Sequence, residues 1–143
     1  MSSKLYGQFL SQALNKEIDW DTDTIRVALL TNAYTPNQDT HNYYDDVVAS
    51  QVTGTGYTAG GIALTNKTNT YVPDTNTIIL DAENVTWSSS TITARYAVIY
   101  AVGGTNATSP LIGYVDFGSD QSSSNGNFTI TWDSTGIVRI TVA

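Results

Sequence analysis

The chain has 143 residues, no cysteine, and six Lys plus Arg against thirteen Asp plus Glu, for a formal charge of -7. That length suits one domain with its own core, and the lack of thiols excludes disulfides, thiolate metal sites and a cysteine nucleophile. The acidic balance argues against a nucleic-acid partner, because neutralising phosphates takes clustered basic side chains.

Charged residues are only 13% of the chain. Thr, Ser, Asn and Gly take their place, a composition of strands and turns. The first ten residues hold neither a signal-peptide core nor a stretch of bilayer length, so synthesis in the cytoplasm and no membrane partner are expected. Sequons at Asn66, Asn84, Asn106 and Asn127 are what chance supplies in so Thr-rich a chain.

Residues 1–16 read as an N-terminal helical segment, with the helix over Lys4 to Asn15. Leu5, Phe9 and Gln12 or Ala13 recur at helical spacing beside Leu10 and Leu14, and Ser2 or Ser3 can cap the start. So short a helix is marginal alone in water and must dock, its own sheet being the usual place. Next, Asp19, Asp21 and Asp23 alternate as calcium ligands do. Thr24 stands where a calcium loop needs Gly, and Leu30 where it needs a bidentate Glu, so a turn held by Asp side chains is the better reading.

Thr24 to Thr31 alternates as a strand, and Asn32 to Asn42 is a polar loop in which the single His41 is expected to face solvent. Tyr43 to Val48 fits a helical turn or a short edge strand, and its adjacent Asp45 and Asp46 point to different sides. Gly54, Gly56, Gly60 and Gly61 lack the spacing of a phosphate loop and suit turns or close backbone approach. Ile62 to Val72 and Asn76 to Trp87 read as strands on either side of a turn at Pro73-Asp74-Thr75-Asn76, with a second turn at Asp81 to Asn84.

Thr91 to Phe117 is expected to be the central hairpin. Ile92, Ala94, Tyr96, Val98 and Tyr100 share one face by a period of two, with Arg95, Ala97 and Ile99 on the other, so both faces need cover. Arg95 on so apolar a strand requires a carboxylate nearby. Gly118 to Gly126 reads as a flexible loop. Asn127 to Trp132 and Ile137 to Val142 read as a closing hairpin around Asp133 to Gly136. The sum is a mainly β, single-domain antiparallel β-sandwich over residues 1–143, jelly-roll-like, with about eight or nine strands.

Catalytic templates find little. No Gly-X-Ser-X-Gly elbow occurs, and the pairs Asp116 with Asp120 and Asp81 with Glu83 read as solvated turns. Trp20, Tyr34, Tyr43, Tyr44, Tyr57 and Tyr71 lie in or near loops, where they suit carbohydrate platforms or interface anchors. Arg26, Arg95 and Arg139 lie within strands, where carboxylate pairing or contact across chains is expected.

Several stretches resemble a family of small structural proteins of tailed bacteriophages: Lys4-Leu-Tyr-Gly, Ala13-Leu-Asn-Lys-Glu-Ile-Asp, Asp23-Thr-Ile-Arg-Val-Ala-Leu-Leu-Thr, Tyr34-Thr-Pro-Asn-Gln-Asp-Thr-His, the Gly54 to Gly61 loop and Ala94-Arg-Tyr-Ala-Val-Ile-Tyr. The resemblance covers nearly the whole chain. It implies a non-enzymatic virion component without cofactor, head decoration or cement ahead of a tail or fibre role. The implied partners are the major capsid protein or other virion proteins, and self-association as a dimer or trimer is expected of such a part. Contacts are expected at the periphery, through Leu5, Tyr6, Phe9 and Leu10 and through Tyr34, Tyr43, Tyr44 and Tyr57 in the loops. The competing expectation is a carbohydrate- or receptor-binding module of a tail or fibre, which needs Tyr and Trp clustered on one rim. An enzyme comes third and needs carboxylates converging in a pocket.

Overall fold

The computed structural model describes residues 2–142. Its strands are β1 (Ser2–Leu5), β2 (Ile25–Leu30), β3 (Ile62–Ala63), β4 (Thr68–Val72), β5 (Thr77–Asp81), β6 (Val85–Ala101), β7 (Leu111–Ile130) and β8 (Val138–Thr141), with one α-helix, α1 (Phe9–Leu14). They form two antiparallel sheets, in the orders β1-β7-β6-β2-β3 and β4-β5-β8. This is the expected mainly β, sandwich-like class. Alternation along β2 shows why both faces of the larger sheet are covered. Ile25, Val27 and Leu29 enter a core shared with Leu80 and Val138 of the second sheet, while Ala28 and Leu30 enter another, rich in tyrosine.

The central hairpin is present as β6 and β7, but its faces do not run through. Ile92 and Ala94 join the core between the sheets, whereas Tyr96, Val98 and Tyr100 join the tyrosine core and Ala97 and Ile99 take the first side. The reversal coincides with a bulge: Ala94 pairs with Gln121 and Tyr96 with Asp116, so Arg95 alone stands opposite 117–120. A strict period of two cannot survive such an insertion, which is why the predicted common face from Ile92 to Tyr100 fails.

Three further expectations are corrected. Ser2 to Leu5 is a strand on Gly113 to Asp116, and only Phe9 to Leu14 is α-helical, so Ser2 and Ser3 cap nothing. The free edge of β7 overrides a weak local helix preference. The helix ends on Lys16 at φ 64°, where the Lys16 and Glu17 N–H groups bond the Ala13 and Gln12 carbonyls. It docks on its own chain through buried Phe9, leaving Leu10 and Leu14 exposed.

The stretch 118–126 is strand. Its polar composition suggests a loop, yet Gln121 to Ser123 and Gly126 pair with β6, and Thr93 and Ser122 hydroxyls meet across the ladder at 2.7 Å. There is no closing hairpin either. Asn127 to Ile130 ends β7 against β6, and β8 pairs with β5. The turn at Asp133 to Gly136 is real, with the Gly136 N–H on the Asp133 carbonyl at 2.9 Å. It carries the chain from one sheet to the other.

The glycine loop works by close approach, as expected. Gly61 has φ +80°, and a Cβ there would lie 1.8 Å from the Val27 carbonyl oxygen, so only glycine lets the loop seat against β2.

Candidate functional site

Several of the acidic residues are tied into local structure. Asp19 Oδ1 accepts the N–H groups of Asp21 and Thr22, each at 3.1 Å, and Asp23 Oδ2 accepts that of Asp19 at 2.8 Å. Asp46 Oδ2 accepts from the Asn42 and Tyr43 backbone. Asp120 Oδ2 accepts from Asn32 at 3.0 Å, and Glu83 from Asn66 and Thr65. The Thr22 N–H holds the Asp19 carboxyl below the usual range, the Asn66 amide does so for Glu83, and the Arg95 guanidinium for Asp116. Such carboxylates are poor proton donors at neutral pH. Among the described residues no three of His, Asp and Glu gather as a metal-binding group.

Arg95 has the partner its strand demands: its Nε–H donates to Asp116 Oδ1 at 2.8 Å. The other strand arginines pair with no carboxylate among the described residues. Arg139 donates to the Thr135 carbonyl, and Arg26 lies beside Tyr100 with its buried Nε–H unpartnered among the described residues.

Of the loop tyrosines, Tyr34 and Tyr44 turn inward, whereas Tyr71 is 51% exposed. Tyr44 stacks on Tyr100 with centroids 4.1 Å apart, and Tyr34 meets Tyr96 edge-on at 5.3 Å. The Tyr6 and Tyr34 hydroxyls are 2.8 Å apart, and His41 Nδ1 is 3.0 Å from the latter. His41 is thus half-buried against Tyr34, not fully exposed as expected. Trp20 is buried as well. Burial pushes the Tyr34 and Tyr57 hydroxyls up to about 12, and those of Tyr6, Tyr44 and Tyr100 also upward. This layer binds the 31–50 segment to the sheet rather than offering aromatic rings to a sugar.

What remains open is a groove of about 770 Å³ where the β1 and β7 edge of the larger sheet faces β8. Buried Phe128, Ile130 and Val138 form part of its floor, and half-buried Leu5, Val115, Phe117, Trp132 and Ile137 line it further. Lys4 and Arg139 stand exposed beside it.

Of the eight residues expected at the interface, Tyr6, Phe9, Tyr34 and Tyr44 are buried inside this chain, which leaves them no surface for a partner. Tyr43 is half-buried and donates to Glu17, and half-buried Tyr57 donates to Gln51 while accepting the Leu29 N–H. Leu10 is exposed on α1, away from the groove lining, and only Leu5 lines the groove. Sequence reasoning gave no site role to Val115, Phe117, Trp132 and Ile137, which it placed only within strands. The signal lay in the pairing, not in the pattern: a strand edge with no neighbour leaves such side chains half covered. No family model, no curated protein and no solved structure matches this chain.

Proposed function

We propose that this chain is a non-enzymatic structural protein of a tailed-bacteriophage virion, a decoration or cement protein that binds the assembled head. The observation that carries the reading is the contrast between its polar groups and its groove. The acids described above cap turns, join side-chain bonds or pair with Arg95, while an apolar-floored groove with free strand edges is left for another polypeptide. The resemblance of Lys4-Leu-Tyr-Gly, the Gly54 to Gly61 loop and Ala94-Arg-Tyr-Ala-Val-Ile-Tyr to phage structural proteins supports the same role. The partner in this reading is the major capsid protein, with the chain itself a dimer or trimer. Imaging intact particles and counting copies tests it. Many copies on the shell are expected, and a few at the tail tip would move the protein to the tail.

The competing module for carbohydrates or receptors draws less support, because Tyr6, Tyr34, Tyr44, Tyr96, Tyr100 and Tyr114 form a buried layer instead of an exposed rim. A glycan screen is expected to be negative, and a reproducible binder would favour that module.

A further inference from the structure

The groove has the geometry of a strand acceptor. Tyr6 N–H donates to the Ile112 carbonyl at 3.1 Å, and the register continues through Lys4 with Tyr114 and Ser2 with Asp116. Antiparallel ladders alternate, so these residues direct their backbone bonds to β7 while Ser3 and Leu5 direct theirs to the free edge. On β8 the Val142 N–H bonds the Asn76 carbonyl, and Ile140 pairs with Ile78, which by the same alternation turns the Arg139 and Thr141 backbone outward. Two unsatisfied edges thus flank an apolar floor. Along β7 the edge continues, because β1 covers only Gly113 to Asp116 and no other strand among the described residues pairs on that side.

Charge decides which occupant fits. The chain carries -7 with six cations, yet Lys4 and Arg139 both stand at this groove. The carboxylate there, Asp133, already accepts from the Thr135 N–H and hydroxyl at 2.9 and 2.7 Å. A second copy would bring another strongly acidic body against this one. An extended segment with apolar side chains toward the floor and carboxylates toward Lys4 and Arg139 satisfies both the edge and the cations.

We infer that the groove between β1 and β8 binds an extended, acidic and apolar alternating segment of another protein by strand addition to the β1 edge. This goes beyond the particle-level reading and concerns the groove alone, so it stands or falls separately from where the protein sits in a virion.

The test uses the full chain and dye-labelled peptides of about eight residues, enough to follow an edge at about 3.3 Å per residue. One alternates Val and Ile with Asp and Glu; a second replaces the acids by Lys; a third is the acidic peptide N-methylated at the amides facing one edge. The acidic peptide is expected to bind at least about tenfold more tightly than the Lys peptide. The double variant Lys4→Glu, Arg139→Glu, both exposed and checked by circular dichroism for an unchanged fold, should reverse that order. N-methylation should abolish binding, and hydrogen exchange should slow at Ser3 and Leu5. Equal binding of both charge types, no binding of any peptide at millimolar concentration, or protection at the β3 edge instead would overturn the proposal. Concentration-dependent self-association abolished by the same double variant would assign the groove to a second copy and overturn it too.

Discussion

The Arg95 Nε–H donates to Asp116 Oδ1 at 2.8 Å at the place where β6 and β7 change register, and each side chain is about a quarter exposed, 28% and 26%. Asp116 also accepts the Gly118 N–H at 2.8 Å, so one carboxylate ties the cation to the start of the bulge. The arrangement answers the charge problem that the sequence poses.

Replacing Asp116 by Asn should lower the urea midpoint at pH 7. The folded carboxyl lies below its ordinary value, because of Arg95 first and the Gly118 N–H second. Its contribution is therefore complete above the unfolded value of about 3.9 and is lost as pH falls through the folded one. The gap between wild type and Asp116→Asn should close towards pH 2. A gap of constant size from pH 7 to pH 2 would refute this account.

Gly61→Ala should be severe. The left-handed backbone costs about 1–3 kcal/mol with a side chain, and the Cβ would collide with the Val27 carbonyl, so a loss of about 3 kcal/mol or more is expected. Gly104→Ala is the control, since the nearest atom to its Cβ would be 3.9 Å away. Chemical denaturation that ranks the two equally would show that the loop does not seat against β2.

Ser90 is fully buried, and its hydroxyl lies 3.0 Å from the Trp87 and Gly126 carbonyls and 2.7 Å from Ser123 Oγ. One proton serves one carbonyl at a time, so it acts as a shared pin where β6 and β7 slip by a residue. Ser90→Ala is expected to cost about 1–3 kcal/mol, against under about 0.5 kcal/mol for exposed Ser122→Ala. Equal midpoints for the two variants would remove Ser90 from that role.

The tyrosine layer should be visible in alkali. Burial raises the folded-state values of Tyr6, Tyr34, Tyr44, Tyr57, Tyr100 and Tyr114. Their contribution to stability is complete below the unfolded value of about 10 and declines as pH rises towards the folded ones, about 12 for Tyr34 and Tyr57. Absorbance at the phenolate band should therefore climb in a late step coincident with unfolding. Smooth ionisation of all the tyrosines near pH 10 with the fold intact would contradict the burial. Tyr44→Ala, which empties the stack on Tyr100, should cost about 3–5 kcal/mol, and Tyr44→Phe about 1 kcal/mol.

Alternation along β2 and the turn residues at Pro73 to Asn76 and Asp133 to Gly136 were legible because their causes are local: side-chain period, fixed φ and backbone bonds within a few residues. So was the need of Arg95 for an acid. The 118–126 stretch was not, because Ser, Asn and Gly say loop while the opposite strand supplies the ladder bonds. Lys4 and Leu5 read as helix for the same reason in reverse, since only β7 tells them to extend. The groove was hidden because a half-covered Val115 or Phe117 carries the same letters as a covered one. Its visibility depends on knowing that β8 joins β5, which lies beyond nearest neighbours in the chain.

The bulge at 117–120 also sets a rule for how this protein can change over time. Val115 before it, Phe117 at its start, and Phe128 and Ile130 after it all pack towards the core between the sheets, although Phe117 and Phe128 are an odd number of residues apart. Side-chain parity therefore does not run through this stretch, and a residue added or lost at the bulge can be taken up there while the paired runs on either side keep their registers. Length variation should therefore gather at the bulge and be absent from the paired runs beside it, where a slip of one residue turns every side chain over.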